Sequence, residues 1–76
     1  MTISEFKKHM TFLVGCINFE YNGQDCGIDP LSCTEYDMWY GNKCMTVKSV
    51  DELLITKFFD GKTIIDIWDS ITDLHY

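Results

Sequence analysis

The sequence has no alanine and no arginine, and it has a single proline. Ala, Arg and Pro draw mostly on GC-rich codons, while the abundant Ile, Lys, Asn, Phe and Tyr draw on AT-rich ones. This bias reads as an AT-rich genome rather than a demand of the fold. Without Arg the chain has no guanidinium fork, the usual tool for gripping phosphate or carboxylate. Uncharged runs are all shorter than the roughly 20 residues that span a bilayer. No basic segment precedes an apolar one as in a secretory leader, so a cytoplasmic setting is expected and no membrane contact. At 76 residues, two cores are excluded, since two domains need roughly 100 residues or more. A single domain over residues 1–76 follows, of modest stability, because such a chain buries only about 60% of its unfolded surface.

The charge is lopsided: 12 Asp and Glu against 6 Lys give a formal net charge of −6. That balance argues against direct contact with nucleic-acid phosphates. Aromatic residues make up 14% of the chain, too many for a disordered tail.

The apolar pattern predicts an α+β domain. Thr2 and Glu5 have capping-box spacing, and Ile3, Phe6, Met10, Leu13, Val14 and Ile17 recur at helical steps. A helix from Ile3 to about Val14 is expected. Residues 18–33 read as irregular, with an Asn22-Gly23 turn, Pro30 holding Asp29 extended, and room for one short strand at 19–21. Tyr36–Tyr40 and Lys43–Val47 form a hairpin across a Gly41-Asn42 type II′ turn. Its two-residue loop sets Tyr40 against Lys43, Trp39 against Cys44, Met38 against Met45 and Tyr36 against Val47. Tyr36, Met38, Tyr40, Met45 and Val47 then face the core, while Asp37, Trp39, Cys44 and Thr46 face outward.

Two C-terminal helices are expected. Ser49 and Glu52 cap one over Val50–Phe58. Asp60-Gly61 turns the chain, and Thr63 and Asp66 cap a second helix striped by Ile64, Ile67, Trp68, Ile71 and Leu74. Ile3, Phe6, Met10, Leu13, Met38, Met45, Leu53, Leu54, Phe58, Ile64, Ile67, Trp68 and Ile71 are the expected core.

Little in the sequence resembles catalytic machinery. Cys16, Cys26, Cys33 and Cys44 are separated by 9, 6 and 10 intervening residues, with none of the close pairs that pre-orient zinc thiolates. His9 and Cys16 share a helical face two turns apart, which is too few ligands for a tetrahedral site. Small buried or half-buried thiols are the simpler reading. Gly61-Lys62-Thr63 matches the end of a Walker A loop, but Thr56 stands where its other Gly is needed. Only His9 and His75 could serve as imidazole bases, and neither lies in a nucleophile's context. No enzyme activity, cofactor or metal is expected.

What remains is acidity. On a continuous last helix Asp66, Asp69 and Asp73 form an i, i+3, i+7 ladder. Asp25, Asp29, Glu35 and Asp37 cluster around the irregular segment and first hairpin strand. Such rows steer binding toward basic grooves in a salt-sensitive way, or simply keep a small protein solvated. Trp39 beside Asp37 is either an exposed anchor for a protein partner or a core residue under another element.

The stretches Gly27–Leu31, Tyr36–Gly41, Ser49–Leu54 and Phe58–Lys62 resemble small accessory proteins of phages and mobile elements of low-GC Gram-positive bacteria. The resemblance implies a protein that binds and inhibits host defence or nucleic-acid machinery, as acidic anti-CRISPR proteins do. It carries over no catalytic residues. The expected function is therefore a non-enzymatic inhibitor that covers a basic, nucleic-acid-binding surface on a host protein through Asp66, Asp69, Asp73, Asp37 and Trp39. The alternatives are a self-associating scaffold, a homodimer through the hairpin's outer face, and a thiol or metal-binding protein.

Overall fold

A computed structural model describes all 76 residues. The order is α1 (Ile3–Thr11), β1 (Ile17–Tyr21), β2 (Gln24–Ser32), β3 (Glu35–Tyr40), β4 (Lys43–Val47), α2 (Val50–Ile55), α3 (Ile64–Ile67), a 3-10 turn (Trp68–Ser70) and β5 (Thr72–His75). The class is α+β. The strands form one antiparallel sheet in the order β4-β3-β2-β1-β5. Four consecutive strands meander, and the last crosses to the far edge beside β1.

The segment expected to be irregular is a hairpin. Asn22 and Gly23 both take positive φ (+55° and +74°), the type I′ geometry whose twist matches its flanking strands. Pro30 disguises β2 in the sequence, since proline rarely enters a central strand. Here it is tolerated for a geometric reason. The Gly41 N–H donates to the Asp25 carbonyl. In that register odd-numbered β2 residues bond β3 and even-numbered ones face β1. β1 begins at Ile17 opposite Ile28, so the missing N–H of Pro30 points past its end.

The second hairpin has the expected register, with Tyr40 opposite Lys43, Trp39 opposite Cys44, Met38 opposite Met45 and Tyr36 opposite Val47. Gly41 takes φ +58° and Asn42 does not, as the II′ turn requires.

The helices are shorter than their stripes suggest. The Thr2–Glu5 capping box opens α1, which ends with Phe12 as its C-cap rather than running to Val14. Leu13 turns left-handed at φ +52° and is exposed, as is Val14. α2 stops at Ile55, short of Phe58. The second C-terminal helix is a single turn: Ile64–Ile67, then the 3-10 turn, then a strand. Asp60 and Gly61, both with positive φ, close a tight turn in which Phe59 bridges Lys62, and Thr63 caps α3. Gly61-Lys62-Thr63 is thus a turn followed by a cap.

The helices cover one face of the sheet only. Phe6, Met10, Leu53, Ile64 and Ile67 pack against Ile17, Phe19, Cys26, Ile28, Tyr36, Met38, Val47 and Phe59 in one buried cluster. Ile3, Leu54, Phe58, Trp68 and Ile71 pack at its margin, whereas Leu13 and Met45 are exposed. Met45 faces inward by register but lies on the edge strand, outside the buried cluster that takes in Val47. The Trp68 ring lies 5.1 Å from that of Phe6, and its Nε1 donates to the Met1 carbonyl at 3.2 Å, tying the two ends of the chain together.

Candidate functional site

With the helices on one side, the other face of the sheet is open. Strand alternation sends Asn18 and Glu20 of β1, Asp25, Gly27 and Asp29 of β2, Glu35, Asp37 and Trp39 of β3, and Cys44 and Thr46 of β4 to that face. Five of the chain's 12 acidic residues occupy these positions, and none of its 6 lysines does.

The register arranges them in rows. Across the middle run Cys44, Trp39, Gly27, Asn18 and His75. On one side Thr46, Asp37 and Asp29 lie in line; on the other, Asp25, Glu20 and Thr72. Two carboxylate pairs are therefore directly opposed across strands: Asp29 with Asp37, and Glu20 with Asp25. Like charges so placed destabilise a sheet. Thr46 relieves one of them by donating its hydroxyl to Asp37 Oδ1 at 2.6 Å.

Trp39 lies over Gly27. A Cβ on Gly27 would meet Cζ2 of the indole at 2.0 Å, so the ring fills the space where any other residue would project. Gly27 is buried on an otherwise open face because the indole covers it. Trp39 itself is half-exposed. It stacks on no other aromatic ring, and its indole N–H, unlike that of Trp68, has no protein acceptor. A depression of about 340 Å³ beside it is lined by Asp29, Asp37, Cys44 and Thr46. Another, of about 480 Å³ at the β5 edge, is lined by Asn18, Glu20, Asp25, Asp73 and His75.

The five expected contact residues divide between the two sides of the molecule. Asp37 and Trp39 sit together on the open face. Asp73 takes φ +53° at the irregularity where β5 pairs with β1, and borders the same face through the second depression. The aspartate ladder does not exist, because the helix that would carry it ends at Ile67. Asp66 lies in α3, Asp69 in the 3-10 turn and Asp73 in β5. Asp66 is also occupied: its carboxylate accepts from Thr63 N at 3.1 Å, and Thr63 Oγ1 accepts from Asp66 N at 3.2 Å. These bonds to Thr63 hold its carboxyl below the ordinary value of 3.8. Asp69 lines a separate hollow with Met1, Thr2, Ile3, Ile65 and Trp68 on the helical side. Glu20 was missed, although the alternation of Phe19, Glu20 and Tyr21 carries the signal for an outward carboxylate.

The cysteines do not converge. Cys16, Cys33 and Cys44 are exposed and Cys26 is buried, all as free thiols. Burial pushes the Cys26 thiol up to about 11. α1 ends before Cys16, so His9 and Cys16 share no helix; His9 Nε2 instead bonds the Gly15 carbonyl at 2.9 Å. No group of three or more His, Cys, Asp or Glu side chains is placed to hold a metal ion. No helix is long and apolar enough to cross a membrane.

Set against known families, curated proteins and solved structures, the chain matches none.

Proposed function

We propose that this chain is a non-enzymatic binding protein that lays its open, acidic sheet face on a basic surface of another protein. The observation that carries this reading is the pairing of Asp29 with Asp37 and Glu20 with Asp25 across neighbouring strands of an uncovered sheet. The arrangement works against folding and has no packing purpose. Locally unfavourable choices concentrate where function requires them. A cationic partner converts both repulsions into attraction, and Trp39 between the rows supplies the aromatic anchor typical of interface centres.

The partner class follows from charge and shape. A surface that binds nucleic acid displays Lys and Arg at the spacing of phosphates. Two rows of carboxylates four residues apart along β2, about 13 Å at roughly 3.3 Å per residue, offer it a substitute. Such a surface fits an inhibitor acting in the bacterial cytoplasm on host nucleic-acid machinery, as anti-CRISPR proteins do. The contacts are Glu20, Asp25, Asp29, Asp37, Asp73 and Trp39. Asp66 and Asp69 are not among them.

The test is charge reversal on each side of the molecule. Glu20→Lys with Asp29→Lys is expected to abolish capture of the host partner while leaving the melting temperature unchanged or raised. Asp69→Lys is expected to leave capture intact. Capture that survives the face variant and is lost with Asp69→Lys would contradict the reading.

One observation favours self-association as a second reading. β4 is an edge strand without an acidic residue, and the backbone groups of Cys44 and Thr46 point away from β3, open to another strand. Light scattering decides between the two: a dimer through β4 persists at high salt and is lost on Cys44→Pro, which removes an outward N–H and leaves the bonds to β3 in place.

A further inference from the structure

We infer that Trp39 is a stacking platform for an arginine side chain of the partner, so that the acidic face selects arginine over lysine. This rests on the reading above and names the group that the face receives.

Three observations lead there. First, the indole has one flat side spent and one free. Gly27 lets it lie down on the backbone, at a distance that no Cβ would allow. No aromatic neighbour and no protein acceptor takes the rest of the ring. Second, carboxylates stand beside it. Asp29 and Asp37 share a depression with Trp39 of about 340 Å³, room for one long side chain. Thr46 occupies only Oδ1 of Asp37, which leaves Oδ2 and both oxygens of Asp29 as acceptors. Third, nothing in the chain competes for this place. The sequence has no arginine, and no lysine occupies an outward strand position.

The ligand chemistry follows. A guanidinium is planar, so it stacks on an indole while its edge donates to carboxylates at the rim. An ammonium is compact and strongly hydrated and can do only one of these at a time. A second copy of this chain is a poor occupant, because it brings no arginine and the same negative charge.

The experiment uses the full chain and two capped peptides, identical except that one carries three arginines where the other carries three lysines. Binding is followed in every variant by the backbone amide resonances of β1–β3, and in the parent also by the Trp39 indole N–H, assigned with Trp39→Phe. The expected result is that both peptides bind, the arginine peptide about two- to fivefold more tightly, the factor an exposed cation–π contact contributes. Trp39→Val is expected to remove the preference while keeping most of the lysine-peptide affinity. Trp39→Tyr, which keeps a ring and guards against a folding defect, is expected to retain the preference. Equal affinity for the two peptides in the parent chain, or a preference that survives Trp39→Val, would overturn the arginine assignment and leave the acidic-face reading standing. Failure of both peptides to bind at low salt would overturn both.

Discussion

Gly27 is the residue on which the open face turns. It has no side chain because the Trp39 indole occupies that volume, and the aromatic ring shields a strand position that glycine otherwise leaves weak. Gly27→Ala forces the ring off the backbone. The expected cost is about 1–3 kcal/mol, as for other overpacked sites, read as a lower urea midpoint with a shift in the Trp39 indole resonance. The sequence alone puts Trp39 on the hairpin face opposite Tyr36 and Met38, because the loop fixes the register, and leaves open whether another element covers that face. It does not show the bed beneath it, since Gly27 pairs with Trp39 only once β2 is recognised as a strand. At the same scale the thiols separate by chemistry. A thiol reagent is expected to label Cys16, Cys33 and Cys44 quickly and Cys26 only on unfolding, because a buried thiol raised to about 11 carries almost no thiolate near neutral pH. Fast labelling of all four cysteines in the folded protein would contradict this placement.

Among the elements, capping is legible and helix length is not. Thr2–Glu5, Ser49–Glu52 and Thr63–Asp66 all mark true helix starts. The stripe from Ile64 to Leu74 keeps helical spacing beyond the point where the chain leaves the helix. Ile71 and Leu74 pack at the margin of the core in the extended form as well, so the periodicity does not distinguish the two. What decides is tertiary: β1 presents an unpaired edge, and the chain after Ser70 fills it. Pro30 hid β2 in the same way, because the geometry that excuses it depends on where β1 ends. The caps carry a prediction. Thr63→Ala is expected to cost about 1 kcal/mol in chemical denaturation, the usual effect of removing an N-cap hydroxyl. The same boxes set an acid response. Bonds from Thr2 and Thr63 lower the carboxyls of Glu5 and Asp66 in the folded chain relative to their ordinary values of 4.5 and 3.8. A group lowered in the folded state stabilises above its unfolded value, and that contribution fades as the pH falls through the folded one. Thermal stability is therefore expected to decline below about pH 4.5, and less steeply in Asp66→Asn, which removes the titrating carboxyl; an unchanged acid slope in that variant would count against the Asp66 assignment.

For the whole molecule, charge separates with layer. A net charge of −6 is spread over the surface, but the uncovered sheet face carries carboxylates without lysines. Screening the opposed pairs lowers their repulsion, and the Debye length is about 10 Å at 0.1 M salt. The melting temperature is thus expected to rise with added NaCl, and to rise less in Asp29→Asn, which is itself expected to be more stable than the parent. Total acidity and the clustering of Asp25, Asp29, Glu35 and Asp37 along the chain are legible in the sequence. The facing of those residues across strands is not, because it depends on the sheet order.

The proposed binding depends on position on the sheet rather than on total charge. The direct measurement compares two triple variants of equal net charge for capture of a partner from a low-GC Gram-positive lysate at low and high salt. One is Glu20→Gln, Asp25→Asn and Asp29→Asn on the open face; the other is Asp51→Asn, Asp60→Asn and Asp69→Asn elsewhere. The parent and the second variant are expected to retain a partner at low salt and release it at high salt, while the face variant retains none. Equal capture by both variants would contradict that dependence.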